Sequence, residues 1–246
     1  SGTASTFVDG MNNKASQLGL VATHFENCTG LPALNAYSCA IDVATIMRQL
    51  IKNKNYFECA HIWMQDYLHP DGRIIGMTNT NRLVKFYNGC DGGKTGYTNE
   101  AMHCLCATAK KSNTRFISVV IGAPDSKTRF AEVSSLFNYG FSNYENKVLV
   151  NENTAFDKIN VIGGKANSLT IKAEKQLEVF TKKGESNIET LYDIPDSVKA
   201  PIEVGDCVGS AKAVRNGKTV GEIKLIATES IKEKSFLDWF KELVVK

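Results

Sequence analysis

The hydrophobic pattern of this 246-residue chain shifts for good at Tyr144-Glu145-Asn146. Before that point four stretches carry apolar residues at helical spacing. Phe7, Met11, Ala15 and Leu18 predict a helix over 5–18, with Gly19 as its stop. Ala40, Ala44, Met47 and Ile51, widened by Ile41 and Leu50, predict a second over 38–52. A short third helix is expected over 56–63, and Phe130, Val133, Leu136 and Phe137 predict a fourth over 126–139. After that point the runs are short and strand-like: KVLV, KINVIG, SLTIKA, LEVFT, IETLYD, APIEV, CVGSAKAV and TVGEIKLIA. Turn residues part them, Asn216-Gly217 being a strong hairpin signal. A helical pattern does not settle as a strand, nor the reverse. The chain is therefore expected to be multi-domain. An α+β part covers 1–146, an all-β sandwich-like domain 147–229, and an amphipathic helix 230–246.

Within the first part, YTNEAMHCLCATAKK and TRFISVVIGA are rich in strand formers and predict an antiparallel hairpin turning at Lys110 to Asn113. In the tail, Phe236, Phe240 and Leu243 line one side, Leu237, Trp239 and Val244 broaden it, and Lys232, Lys234, Lys241 and Lys246 supply charge. Two readings stand: a helix packed on its own domain, or one lying in a membrane interface.

Composition narrows the function. A net charge of +3, with no basic face interleaved with aromatics, argues against a nucleic-acid binder. No apolar run approaches the roughly 20 residues of a spanning helix. The seven cysteines are scattered, with no C-x-x-C pair, and are read as small buried hydrophobes. Cys104 and Cys106 share one face of a strand and His103 the other, so no metal site is expected. Ser1-Gly2-Thr3 has neither an initiator Met nor a signal-like segment, and reads as a chain beginning inside a domain.

One heptapeptide, GGKTGYT (92–98), invites two chemistries. A phosphate loop needs glycine five residues before Gly93, where Asn88 stands, and a helix afterwards, where a strand is expected. A carboxylate fits better. Lys94 and Thr95 at the head of an edge strand place an ammonium beside a hydroxyl, and Gly96 leaves the backbone open to a ligand. Two unit charges about 4 Å apart attract by about 4 kcal/mol at an effective dielectric near 20, ample to orient a substrate. K-T-G is also one of three motifs of penicillin-binding proteins.

FVDGMNNKASQLGLVATHFENCTGL, YSCAIDVATIMRQLI and the stretch from NTNRLVKFYNG to SSLFNYGF resemble the D-alanyl-D-alanine carboxypeptidases of the low-molecular-mass penicillin-binding protein type. APIEVGDCVGSAKAVRNGKTVGEIKLIATES is similar to the β-rich domain that follows the catalytic domain in that family. The resemblance covers essentially the whole chain and implies a partial penicillin-binding/β-lactamase-like transpeptidase domain. It implies removal of the terminal D-alanine from peptidoglycan stem peptides through an acyl-enzyme, sensitivity to β-lactams, and no cofactor or metal. It also implies a place on the outer face of the bacterial cytoplasmic membrane, held by the tail helix. Carried over, Lys94 is catalytic, orienting the substrate carboxylate. Thr95 bonds that carboxylate, Gly96 admits the substrate, and the Tyr97 N–H is one oxyanion donor. The family's S-x-x-K and S-x-N motifs do not occur in these residues. The chain is therefore expected to be inactive alone, its nucleophile lying on an N-terminal fragment. A non-catalytic wall-binding or scaffolding relative is the alternative. Where the family commonly has a glycine-aromatic pair, this chain has Met102-His103, and His103 is expected to face solvent or a neighbouring helix.

Overall fold

In the computed structural model, which describes residues 2–244 with side chains as far as Phe240, α1 (Ala4–Gln17) begins where the Thr3 hydroxyl accepts the Thr6 N–H. It ends at Gly19, whose φ of +71° lets the Leu20 N–H reach back to the Ala15 carbonyl. The following loop is pinned to α2 (Ala40–Leu50) by the buried Asp42, which accepts from the Ala22 N–H at 3.0 Å and the Thr23 hydroxyl at 2.7 Å. The third helix, α3, spans Lys54–Ala60 rather than 56–63, because Asn53 caps it by accepting the Asn55 N–H. A hairpin not expected from the sequence follows, β1 (Met64–Leu68) with β2 (Ile74–Thr78). Every residue of its two strands is exposed, so they carry no alternation to read. A single turn, α4 (Leu83–Phe86), leads into the main sheet.

That sheet is antiparallel with order β3 (Cys90–Thr98), β4 (Met102–Lys111), β5 (Thr114–Ala123). The predicted hairpin is β4–β5, turning at Ser112-Asn113. Tyr97 and Thr98, expected in its first strand, instead end β3, so Lys94-Thr95-Gly96 lies within a strand rather than at its head. Leu105, Ala107 and Ala109 of β4 pack with Val133 and Phe137 of α5 (Ser126–Asn143), both fully buried. Each of those two side chains contributes about 2–3 kcal/mol by leaving water. The helix runs on past the predicted residue 139, and Leu136, expected in its apolar stripe, is 49% exposed. A bidentate ion pair from Arg115 to Asp91, with the Arg115 guanidinium also on the Thr108 hydroxyl, links all three strands.

These elements form one unit, Ser1–Asn143, and Tyr144–Lys246 form a second. The second unit is β-rich: β6 (Tyr144–Val150), β7 (Ile159–Ile162), β8 (Ser168–Leu169), β9 (Ile171–Ala173), β10 (Leu177–Lys182), β11 (Ile188–Asp193), β12 (Ser197–Lys199), β13 (Cys207–Arg215) and β14 (Lys218–Ala227). Its sheets have orders β11-β13-β14-β9, β12-β7-β8 and β10-β6. They share one core, in which Leu169, Ile171, Ala211, Ala213 and Leu225 have no exposed surface. Asn216 and Gly217 both take positive φ, 50° and 74°, which is the geometry a two-residue hairpin turn requires. The strand expected over APIEV does not form. Pro201 has no N–H to donate, and Ile202 makes only an isolated bridge to Ile231.

The tail helix, α6, spans Phe236–Val244. Phe236, Leu237, Trp239 and Phe240 are 48–81% exposed, so its apolar side is not packed onto its own unit. Leu243 and Val244, expected on that side, lie outside the described side chains. No described helix is long and apolar enough to cross a membrane. The seven cysteines are unpaired. Cys90 and Cys106 are buried as expected, but Cys28, Cys59 and Cys207 are exposed.

Ser235 and Asp238 cap α6 reciprocally. The Asp238 carboxylate accepts from the Ser235 hydroxyl at 2.7 Å and the Ser235 N–H at 2.8 Å, with Lys165 at 3.4 Å. The hydroxyl bond first, then the backbone bond and Lys165, hold the Asp238 pKa down at about 2. The cap is thus complete above the ordinary aspartate range and is lost as pH falls through about 2. The Asp238 carboxyl carbon should titrate by NMR with a midpoint near 2, rising toward the ordinary value in Ser235→Ala.

Candidate active site

The centre of β3 is fixed from behind by close packing. Gly93 has φ +143°, and a Cβ there would lie 2.5 Å from the Cys106 carbonyl oxygen and 2.8 Å from Ala107 Cα. A Cβ on Gly92 would lie 2.7 Å from the Tyr56 hydroxyl, so the phenol of α3 occupies the space a side chain would take. Burial raises the Tyr56 pKa. Asn81 has no exposed surface. Its amide donates to the Gly92 carbonyl at 3.2 Å while its oxygen accepts the Leu83 N–H at 3.2 Å. The strand is thereby held against α3 and the 79–86 segment.

Beyond this clamp the strand turns polar and open. Thr95 is buried and its hydroxyl donates to the Thr80 hydroxyl at 2.8 Å. The Lys94 ammonium folds over the Thr95 carbonyl at 2.6 Å. Gly96 is exposed, and a Cβ there would meet only Cys104 Cβ, at an ordinary 3.8 Å. The fold does not require glycine at this position. Arg129, a charge in the buried stripe of α5, donates to the Gly96 carbonyl at 3.0 Å and the Cys104 carbonyl at 3.2 Å. A cavity of about 250 Å³ lies beside the triad, lined by Lys94, Thr95 and Gly96 with Cys104, Cys106, Val119 and Val43 among its walls. Burial pushes the Cys106 thiol up to about 12, so it is not a thiolate at neutral pH.

Lys94, Thr95, Gly96 and Tyr97 are consecutive on one edge strand, with Thr80 and Arg129 brought to them from outside the motif. Tyr97 is exposed and packs across the strands on His103, with ring centroids 4.5 Å apart and the planes tilted by 41°. His103, expected to face solvent or a helix, is half-buried against that ring, and its Nδ1 has no partner among the described residues. Met102 sits at φ +55°, the left-handed region, which costs a non-glycine residue roughly 1–2 kcal/mol. Of the residues added, Arg129 had a sequence signal, a charge at i, i+4, i+8 with Val133 and Phe137. Thr80 and Asn81 had none.

A mixed helix and antiparallel-sheet unit with Lys-Thr-Gly on its edge strand, followed by a β-rich unit, is a penicillin-binding-protein-like arrangement. Residues 1–125 match the D-alanyl-D-alanine carboxypeptidase family, and 144–233 match the penicillin-binding protein 5 C-terminal domain. The chain belongs to the D-alanyl-D-alanine carboxypeptidase family. It is 37% identical to D-alanyl-D-alanine carboxypeptidase DacF of Bacillus subtilis, over 98% of this chain and 62% of that protein. It is 30% identical to DacC of Escherichia coli, over 96% of this chain and 58% of that protein. The crystal structure of penicillin binding protein 5 from Haemophilus influenzae superposes with TM-score 0.61 at 29% identity, over 92% of this chain and 66% of that one. The chain thus spans about three-fifths of the length of its curated relatives.

The two glycines should part in a test. Gly93→Ala should lower the urea unfolding free energy by about 2–4 kcal/mol, since backbone atoms cannot move aside. Gly96→Ala should change it by less than about 1 kcal/mol.

Proposed function

We propose that this chain supplies the Lys-Thr-Gly wall of a serine-type D-alanyl-D-alanine carboxypeptidase. In that reaction a serine oxygen attacks the carbonyl carbon between two D-alanines, the C–N bond breaks, and D-alanine leaves. Water then hydrolyses the acyl ester. Lys94 orients the peptide's terminal carboxylate and adds positive field, and Thr95 bonds it. Gly96 lets the peptide lie against the strand, and the Tyr97 N–H stabilises the oxyanion. Arg129 reinforces the field from behind, where burial strengthens its effect. The observation that carries this reading is Gly96: a glycine the fold does not need, next to Lys94 and Thr95, on an edge strand.

The nucleophile belongs to a segment bearing S-x-x-K, which these residues do not contain. That segment and β-lactams are the proposed partners of the site, with the stem peptide ending in D-Ala-D-Ala. In this scheme residues 1–146 are the C-terminal part of the catalytic domain, 147–229 a β-rich domain, and the tail from 230 onward carries α6 (Phe236–Val244), a helix lying on the outer face of the cytoplasmic membrane. The exposed Phe236, Leu237, Trp239 and Phe240 support that last assignment.

Loss of the nucleophile alone costs a serine hydrolase on the order of 10⁶ in turnover. The purified chain should therefore keep its 27.0 kDa mass unchanged after incubation with benzylpenicillin. Mixed with an S-x-x-K segment from a close relative, that partner should take up the penicillin mass, and Lys94→Ala should slow the uptake at least a hundredfold. Uptake by the single chain would overturn its expected inactivity, and indifference to Lys94 would overturn the role proposed for that residue.

A further inference from the structure

Thr80 is exposed, yet the backbone on both sides of it is anchored. Before it, the Asn79 N–H donates to the Trp63 carbonyl at 2.8 Å, and the Asn79 amide donates to the Ala60 and Ile62 carbonyls at 3.2 and 3.0 Å. The Asn79 side-chain oxygen accepts the Asn81 N–H at 2.9 Å, closing the chain around Thr80. After it, the fully buried Asn81 bonds the Gly92 carbonyl of β3. A side chain at the surface answers to no packing demand, but this hydroxyl is carried on backbone fixed relative to the Lys-Thr-Gly strand.

The group it meets is the hydroxyl of Thr95, which is buried and donates its proton to Thr80 at 2.8 Å. The Lys94 ammonium lies on the carbonyl of the same residue, at 2.6 Å. In the free chain both carboxylate donors of the motif are thus turned onto the protein's own oxygens. A hydroxyl has a single proton, so Thr95 can give it to a carboxylate only by withdrawing it from Thr80. The contact between the two oxygens then survives only if Thr80 becomes the donor. The Thr80 proton has no acceptor among the described residues, so no other bond is broken to provide it.

We infer that Thr80 is a positioning residue for the substrate: its hydroxyl accepts from Thr95 in the free chain and donates to Thr95 once the peptide's terminal carboxylate arrives. Two hydroxyl groups rotate and no covalent bond changes. Throughout, the Thr95 oxygen stays where Thr80 holds it, so the carboxylate meets a donor already in place. By donating to that oxygen, Thr80 also polarises the Thr95 O–H and strengthens its bond to the anion. The inference rests on the reading of Lys94-Thr95-Gly96 given above. It is tested by binding to the intact chain, without turnover. Acetyl-D-Ala-D-Ala and its uncharged C-terminal amide are titrated against the ¹⁵N-labelled protein and against Thr80→Val and Thr80→Ser.

The free acid should shift the Gly96 and Tyr97 amides. Thr80→Val should bind it about tenfold more weakly, and Thr80→Ser, which keeps the hydroxyl, within twofold of the parent chain. The amide's affinity should change less than twofold in either variant, and the urea midpoint should not move, since Thr80 is exposed. In a Thr95→Val background, adding Thr80→Val should cost nothing further. Equal binding of the free acid by Thr80→Val and the parent chain, with Gly96 shifted, would overturn the role of Thr80 and leave the strand's role standing. An equal loss for acid and amide, or a loss that Thr80→Ser does not restore, would reduce the Thr80–Thr95 bond to a structural one and overturn the inference. No shift at Gly96 with the free acid would overturn the strand's role, and that of Thr80 with it.

Discussion

The close approach of β3 to β4 at Gly93 governs the rest of the first unit. The absent side chain lets the strand press onto the Cys106 carbonyl. Asn81 then spans the remaining gap with a fully buried amide that bonds both the strand and the start of α4. An orphaned buried amide costs about 1–3 kcal/mol, so this side chain must keep both partners. With the strand so held, its next residues have little freedom. Thr95 turns to Thr80, and Gly96 stands at an open edge with Arg129 behind it.

The electrostatics follow from that placement. Lys94 is exposed, with its ammonium on the Thr95 carbonyl at 2.6 Å, so its charge is open to screening by salt. Arg129 is buried and its guanidinium is tied to two backbone carbonyls, so its charge is fixed in place. Burial lowers the Arg129 pKa, yet arginine keeps its proton throughout the physiological range. An exposed cation in front and a buried one behind give the strand a positive edge.

The sequence shows the parts of this arrangement that are contiguous and hides those that are assembled. Lys94-Thr95-Gly96 is three adjacent residues with distinct chemistry, and the helices of the first unit announce themselves by spacing. Helix ends were less legible, because a single side chain such as Asn53 sets them. The hairpin at 64–78 could not be read, since exposure on both faces leaves no alternation. Pro201 overruled an otherwise strand-like run. Asn81 and Thr80 lie in a polar stretch like any loop, and only the fold reveals that one is fully buried and the other touches the motif. The sequence puts Tyr97 and His103 in one strand, whereas the fold sets them opposite each other on β3 and β4.

The exposed hairpin carries one more consequence. β1 and β2 form a sheet of their own, with no buried residue in either strand. Their amide hydrogens are protected by each other alone, whereas those of β4 lie under α5 beside residues with no exposed surface. Opening the hairpin exposes almost no new apolar surface, so it can fray and reclose while the sheet behind it stays shut. The unit thus holds two regions on separate exchange clocks, a fast one at 64–78 and a slow one centred on Leu105 and Ala107.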